Sequence, residues 1–244
     1  MVQSLIESKQ PKIKGKANVA FLIDVTASMG GCLENLKANL LELSNQIGTI
    51  SKEQYGVAEP DISYCAMGYR DLTTPEPEEY KIVRMAPTFT KNLDDLKVFF
   101  SDEKMQAAGG DTEPESALDA LVIAAREFKW DQPVRILLLL TDASTHKVLH
   151  PSTTGGTQID ENDSMNVVQE ELMSRKLRLI VFGPKDVPEY MKVATFNCCR
   201  YEPMEKAGDT LRNFKDAAMF KDQIVKLVAK SVSQSTSQPV AYAS

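Results

Sequence analysis

Six residues carry the chemistry this chain can do: Asp24, Thr26 and Ser28, then Asp111 and Thr112, then Asp142. The first three fall at alternate positions directly after an apolar run, Val19 to Ile23. One carboxylate and two hydroxyls within five residues are hard oxygen donors. They suit a small hard cation such as Mg²⁺, which takes oxygen ligands and keeps part of its water shell. Asp111 and Thr112 follow Gly109-Gly110, and Asp142 follows Thr141 at the end of a second apolar run, Val134 to Leu140. Hydroxyls bind a metal without adding charge. A cation held by few carboxylates therefore stays under-neutralised and keeps an open coordination position. The plainer alternative is that Asp24 ends a strand, that Ser28 caps the next helix, and that Thr112 and Glu115 form a capping box.

The elements that must position these residues are legible in the hydrophobic pattern. Val19–Ile23, Asp61–Tyr69, Val134–Leu140 and Leu177–Phe182 read as strands, the apolar runs being buried and parallel. Tyr80–Met85 reads as an edge strand and Cys198–Tyr201 as a short one. Helical stripes run from Leu33 through Ile47, ending at Gly48, and from Leu93 to Phe100. Further stripes cover 117–128, 164–174, 187–195 and 210–231, the last with Phe214 and Ala217 on its inner side. Pro114 is expected in the first turn of the 117–128 helix. Strands and helices alternate, which predicts an α/β fold: a doubly wound, mostly parallel sheet with helices on both faces. Such sheets bind ligands beyond the carboxyl ends of their strands, where the strand order reverses. The oxygen-rich loops follow those ends.

Residues 1–16 read as a loose arm, 17–232 as one domain, and 233–244 as a Ser/Gln-rich disordered tail. The 244 residues carry a formal net charge of −6, with a pI near 5.1, which argues against nucleic acid as a partner. Lysines 9, 12, 14 and 16 are not followed by the apolar segment of a secretory signal, and Ile136–Leu140 is far too short to span a bilayer. Cys32, Cys65, Cys198 and Cys199 make no C-x-x-C pair, which fits a reduced, cytoplasmic chain without membrane contact. Cys198 and Cys199 read as strand residues. No G-x-G-x-x-G or G-x-x-x-x-G-K-[ST] nucleotide motif and no G-x-S-x-G elbow occurs.

Taken together, D-x-T-x-S-M after a buried strand, GGD before a helix and a strand ending in TD resemble the von Willebrand factor A domain. The resemblance covers Asn18 to Ser231. Gly68-Tyr69-Arg70-Asp71, Gly109-Gly110-Asp111 with Glu115, and Thr141-Asp142-Ala143 with His146 resemble the A domains attached to alpha-kinases and their bacterial relatives. The kinase domain itself is not in this sequence, so that activity does not carry over.

The resemblance implies a Rossmann-like fold with a metal-ion-dependent adhesion site. Asp24, Thr26 and Ser28 fall in its first loop and Asp142 in its third. In the second loop the family usually has Thr after the glycines. Here Asp111 stands there, with Thr112 next, and either can be the ligand. A carboxylate at that place lowers the net charge of the site and weakens its pull on an acidic ligand.

The function implied is a Mg²⁺- or Mn²⁺-dependent protein-binding module, not an enzyme, whose metal takes a Glu or Asp from a partner protein. Two alternatives are weighed against it. One is a metal-independent scaffold domain. The other is a Mg²⁺-dependent phosphohydrolase of the haloacid dehalogenase type, which needs a second Asp where this chain has Thr26. Asp71 reads as a partner of Arg70, a turn residue or an outer support of the metal loops. His146 and His150 read as core or surface histidines, or as an i, i+4 metal pair.

Overall fold

The structure is a computed structural model that describes residues 15–57, 60–109, 113–204 and 218–233. Most of the expected N-terminal arm, all but the first residue of the tail, Asp111, Thr112, Phe214 and Ala217 lie outside the described residues. Lys16, read as part of the arm, instead opens the first strand, opposite Asp61.

Among the described residues, six strands form one sheet: β1 (Lys16–Asp24), β2 (Asp61–Tyr69), β3 (Ile82–Arg84), β4 (Val134–Leu140), β5 (Arg178–Pro184) and β6 (Cys199–Met204). Their order is β3-β2-β1-β4-β5-β6. All pairs are parallel except β2 with β3. The helices are α1 (Gly30–Glu53), α2 (Glu78–Lys81), α3 (Leu93–Phe100), α4 (Ala117–Glu127), α5 (Glu161–Ser174), α6 (Pro188–Ala194) and α7 (Ala218–Ser233).

Alternation along the central strands sends side chains to two separate cores. Phe21 and Ile23 of β1, with Ile136, Leu138 and Leu140 of β4, join residues of α1, α3 and α7. Ala20, Leu22, Leu137 and Leu139 join residues of α4, α5 and α6 on the other face. Both faces are covered, so the central strands carry no polar face, which is why they read as unbroken apolar runs. A fully buried Leu22 contributes roughly 1.5–3 kcal/mol relative to an exposed one.

The order reverses between β1 and β4. From β1 the chain moves outward to β2 on one side and later returns to β4 on the other. Ile23 pairs with Leu140, so Asp24 and Thr141 leave the sheet side by side.

Four local expectations are corrected. Gly48 does not end α1, which runs on to Glu53; Ile47 and Ser51 are buried there, and burial outweighs the roughly 1 kcal/mol helix penalty of a glycine. The Tyr80–Met85 strand shrinks to Ile82–Arg84, because Glu78–Lys81 form a helical turn. Pro114 lies outside α4, which opens at Ala117 after Ser116. Glu115 is not part of a helix cap: its backbone bridges to Thr145.

Candidate metal centre

β1 stops at Asp24 because the next residues fold back on its carboxylate. Asp24 is fully buried. Its Oδ1 accepts from the Thr26 amide at 2.9 Å and from the Thr26 hydroxyl at 2.6 Å. Its Oδ2 accepts from the Thr141 hydroxyl at 3.0 Å. Thr26 Oγ1 lies 3.3 Å from Ser28 Oγ, and Ser28 donates to Asp142 Oδ1 at 2.9 Å, joining residues 114 apart in sequence. The structure therefore brings Asp24, Thr26, Ser28 and Asp142 into one continuous line of oxygens. Thr141, read in the sequence as part of the third oxygen-rich loop but not as a ligand, supports that line through Asp24.

The second loop is tied to the same rim on both sides of Asp111 and Thr112, which lie outside the described residues. Ala27 donates its amide to the Gly109 carbonyl at 3.1 Å, and Ala108 donates to Val25 at 3.2 Å. On the far side, the Glu115 amide donates to the Ser144 carbonyl at 3.0 Å, and the His146 amide donates to the Glu115 carbonyl at 2.9 Å. Gly109 has φ +70°, so the backbone favours glycine there; a Cβ would sit 2.1 Å from Oε1 at the end of the Glu76 side chain, which would have to shift.

Arg70 fixes the approach to this loop. Its buried guanidinium donates to the carbonyls of Ala108 at 3.0 Å, Lys104 at 3.0 Å, Gln106 at 2.8 Å and Tyr80. This planar fork of donors cross-braces the segment that delivers Gly109.

Arg70 is thus engaged with main chain, and the expected pairing with Asp71 does not form. Asp71 instead accepts from the Thr73 amide at 2.8 Å and faces His146 Nε2 at 2.9 Å, with Ser116 Oγ at 3.4 Å. Burial works against its charge, but the hydrogen bonds from Thr73 and His146 prevail and hold its pKa below the usual carboxylate range. The Asp71–His146 contact ties the loop after β4 to the end of β2, an outer support for Asp142. His146 and His150 do not act as a pair: His150 Nδ1 faces Ser152 Oγ at 2.8 Å.

The electrostatics favour a cation. Burial raises Asp24 to about 6, and Asp142 adds to the rise, against the hydrogen bonds from Thr26 and Thr141. Glu115 is 2% exposed, and its Oε2 has no hydrogen-bond partner. Burial first, then Asp24, Asp71, Glu76 and Asp142, push it to about 8. The sequence reading missed Glu115 as a member of this rim, because its spacing from Thr112 imitates a helix cap. The signal available was an acid three residues beyond a candidate ligand.

Among the described residues, no three His, Cys, Asp or Glu side chains converge closely enough to form a metal site by themselves. The described donor set is two carboxylates with two hydroxyls. It fits a hard cation that retains part of its water shell.

No protein-family profile and no curated protein sequence matches the chain. Solved structures match in fold. Proximal thread matrix protein 1 (PTMP1) from the mussel byssus aligns in crystal form 2 with a TM-score of 0.53 and 13% identity, over 91% of this chain and 49% of that one. A second structure of the same protein gives a TM-score of 0.50 and 12% identity, over 88% and 47%. A third, described as having a zinc-occupied MIDAS motif, aligns at 0.49 and 14%, over 88% and 46%. The chain spans about half the length of the structures it matches. At these identities the likeness is one of fold: a von Willebrand factor A-like, doubly wound sheet.

Proposed function

We propose that the chain is a divalent-metal-dependent protein-binding module with a metal-ion-dependent adhesion site, of the kind its motifs share with alpha-kinase-associated A domains. Ser28, Thr26, Asp24 and Asp142 would hold Mg²⁺ or Mn²⁺, with Asp111 or Thr112 from the second loop. The bound metal would supply a Lewis-acidic position for a Glu or Asp of a partner protein. The observation that carries this reading is the hydrogen bond from Ser28 to Asp142. It joins two loops far apart in sequence at the switch point of the sheet, where ligands of such folds bind.

In this reading the chain's own residues divide the work. Thr26 and Thr141 hold the Asp24 carboxylate in one orientation. Ser28 sets the distance between the first and third loops. Asp71, through His146, restrains the third loop from behind. The proposed setting is cytoplasmic, without nucleic acid or membrane as partner; no helix among the described residues is long and apolar enough to cross a membrane.

A metal-independent scaffold is the second reading. The observation that favours it is that both Asp24 oxygens already accept hydrogen bonds from protein donors, so the loop is ordered by the chain itself. Calorimetric titration of Mg²⁺ into the wild type, Ser28→Ala and Asp24→Ala tests the metal, and affinity capture from lysate in Mg²⁺ or EDTA tests the partner. The expected result is a saturable Mg²⁺ isotherm, weakened at least about tenfold by either substitution, and partners that elute with EDTA. Equal capture with and without EDTA would sink the adhesive reading and leave the scaffold.

A further inference from the structure

Adjacent residues of an extended strand point to opposite sides of the sheet, which keeps their side chains apart. Cys198 and Cys199 depart from that rule, because only Cys199 belongs to β6. The chain leaves α6 through a turn in which Phe196 donates its amide to Val193 at 3.1 Å and Cys199 donates to Phe196 at 2.9 Å. The turn brings both side chains to one side, with the two sulfurs 3.6 Å apart. Cys199 is buried in the core between the sheet and α6, while Cys198 is half-buried beside the exposed Asn197.

The two thiols are chemically unequal. The contact with Cys199 shifts Cys198 toward the thiolate, while that same contact and burial hold the proton on Cys199. Cys32 and Cys65 are buried, and burial pushes both thiols up, Cys65 to about 12. Cys198 is therefore the thiol that combines access with nucleophilic character.

We propose that Cys198 and Cys199 form a modification site for hydrogen peroxide, in which Cys198 is the attacking sulfur and Cys199 the resolving one. The Cys198 thiolate attacks one peroxide oxygen. An S–O bond forms, the O–O bond breaks, and the departing hydroxide takes a proton to leave as water. Cys199 then gives up its proton and attacks the Cys198 sulfur. The S–S bond forms, the S–O bond breaks, and a second water leaves. Two thiols lose two electrons in all, and the peroxide gains them. Closing the present gap to a disulfide of about 2 Å needs rotation of both side chains and a twist of the peptide between them. The strain makes the bond easy to reduce again. The pair sits at the amino end of β6, on the opposite rim from Asp24, so this chemistry is separate from the proposed metal centre.

The test is mass spectrometry of the full chain after stoichiometric hydrogen peroxide, alkylation and trypsin. Cleavage at Lys192 and Arg200 puts both cysteines in one peptide. The expected product is that peptide unalkylated and about 2 Da lighter than its dithiol form, restored to double alkylation by dithiothreitol. Cys199→Ser should instead leave Cys198 trapped by dimedone as the sulfenic acid, and Cys198→Ser should leave Cys199 fully alkylated. Either a dimedone or sulfinic adduct on wild-type Cys198 with Cys199 still free, or complete alkylation of both after peroxide, would overturn the proposal.

Discussion

Asp24 and Glu115 are acids held where water does not reach them, and both resist ionising there. This fixes the sign of a pH effect. An acid whose folded value lies above its unfolded one binds protons more tightly in the native state, so stability falls as pH rises between the two values. For Asp24 the window runs from 3.8 to about 6, and for Glu115 from 4.5 to about 8. In EDTA the melting temperature should therefore drop as the pH is raised from about 5 to about 9. Glu115→Gln keeps the shape and removes the charge. It should flatten the upper part of that profile, above about pH 6, and melt higher than the wild type at the alkaline end. Differential scanning fluorimetry across that range checks it, and parallel profiles for the two proteins would show that Glu115 ionises freely in the fold. Sequence alone reached Asp24, Thr26, Ser28 and Asp142, which the structure joins in one line of oxygens. It did not reach Glu115, whose role depends on which carboxylates surround it. It offered Arg70 as a companion of Asp71 and did not reach His146, because the carbonyls of Lys104, Gln106 and Ala108 that claim the guanidinium are distant in sequence.

Among the elements, those buried on both sides were the most legible. The runs ending in Ile23 and Leu140 can satisfy their hydrophobicity only inside a covered sheet, and they occupy its centre. Elements whose limits depend on distant packing were less so. α1 passes through Gly48 because the residues on either side of it bury themselves, and the Thr112–Glu115 spacing signals a cap that the bridge to Thr145 replaces. Gly109 shows how an element-level constraint can be tested. Gly109→Ala introduces a left-handed residue, costing roughly 1–2 kcal/mol, and drives a Cβ into Glu76. Glu76→Ala should relieve the second cost but not the first. A double-mutant cycle in urea is expected to give a favourable coupling of about 0.5–3 kcal/mol between the two substitutions. Simple additivity would mean that Glu76 moves aside freely and does not pack over the second loop.

For the molecule as a whole, the question is whether the fold exists to bring Asp24 and Asp142 together or merely tolerates it. Parallel pairing of β1 with β4 forces their carboxyl ends to one rim, where two partly or wholly buried acids repel each other. A ligand that binds only the folded chain stabilises it by mass action, by about 2.7 kcal/mol at a hundredfold excess over its dissociation constant. For a domain of this size that corresponds to a rise in melting temperature of roughly 5–10 °C. The wild type is expected to show such a rise with Mg²⁺ relative to EDTA. Asp142→Asn should lose most of it while melting no lower than the wild type in EDTA, since it removes a repulsion. Asp94→Asn serves as the control, an exposed acid on α3 paired with Lys97, and should keep the full response. The net charge of −6 makes that control necessary, because an acidic surface also attracts divalent ions diffusely. A Mg²⁺ response equal in all three proteins would assign the effect to that diffuse atmosphere and not to the rim where β1 and β4 meet.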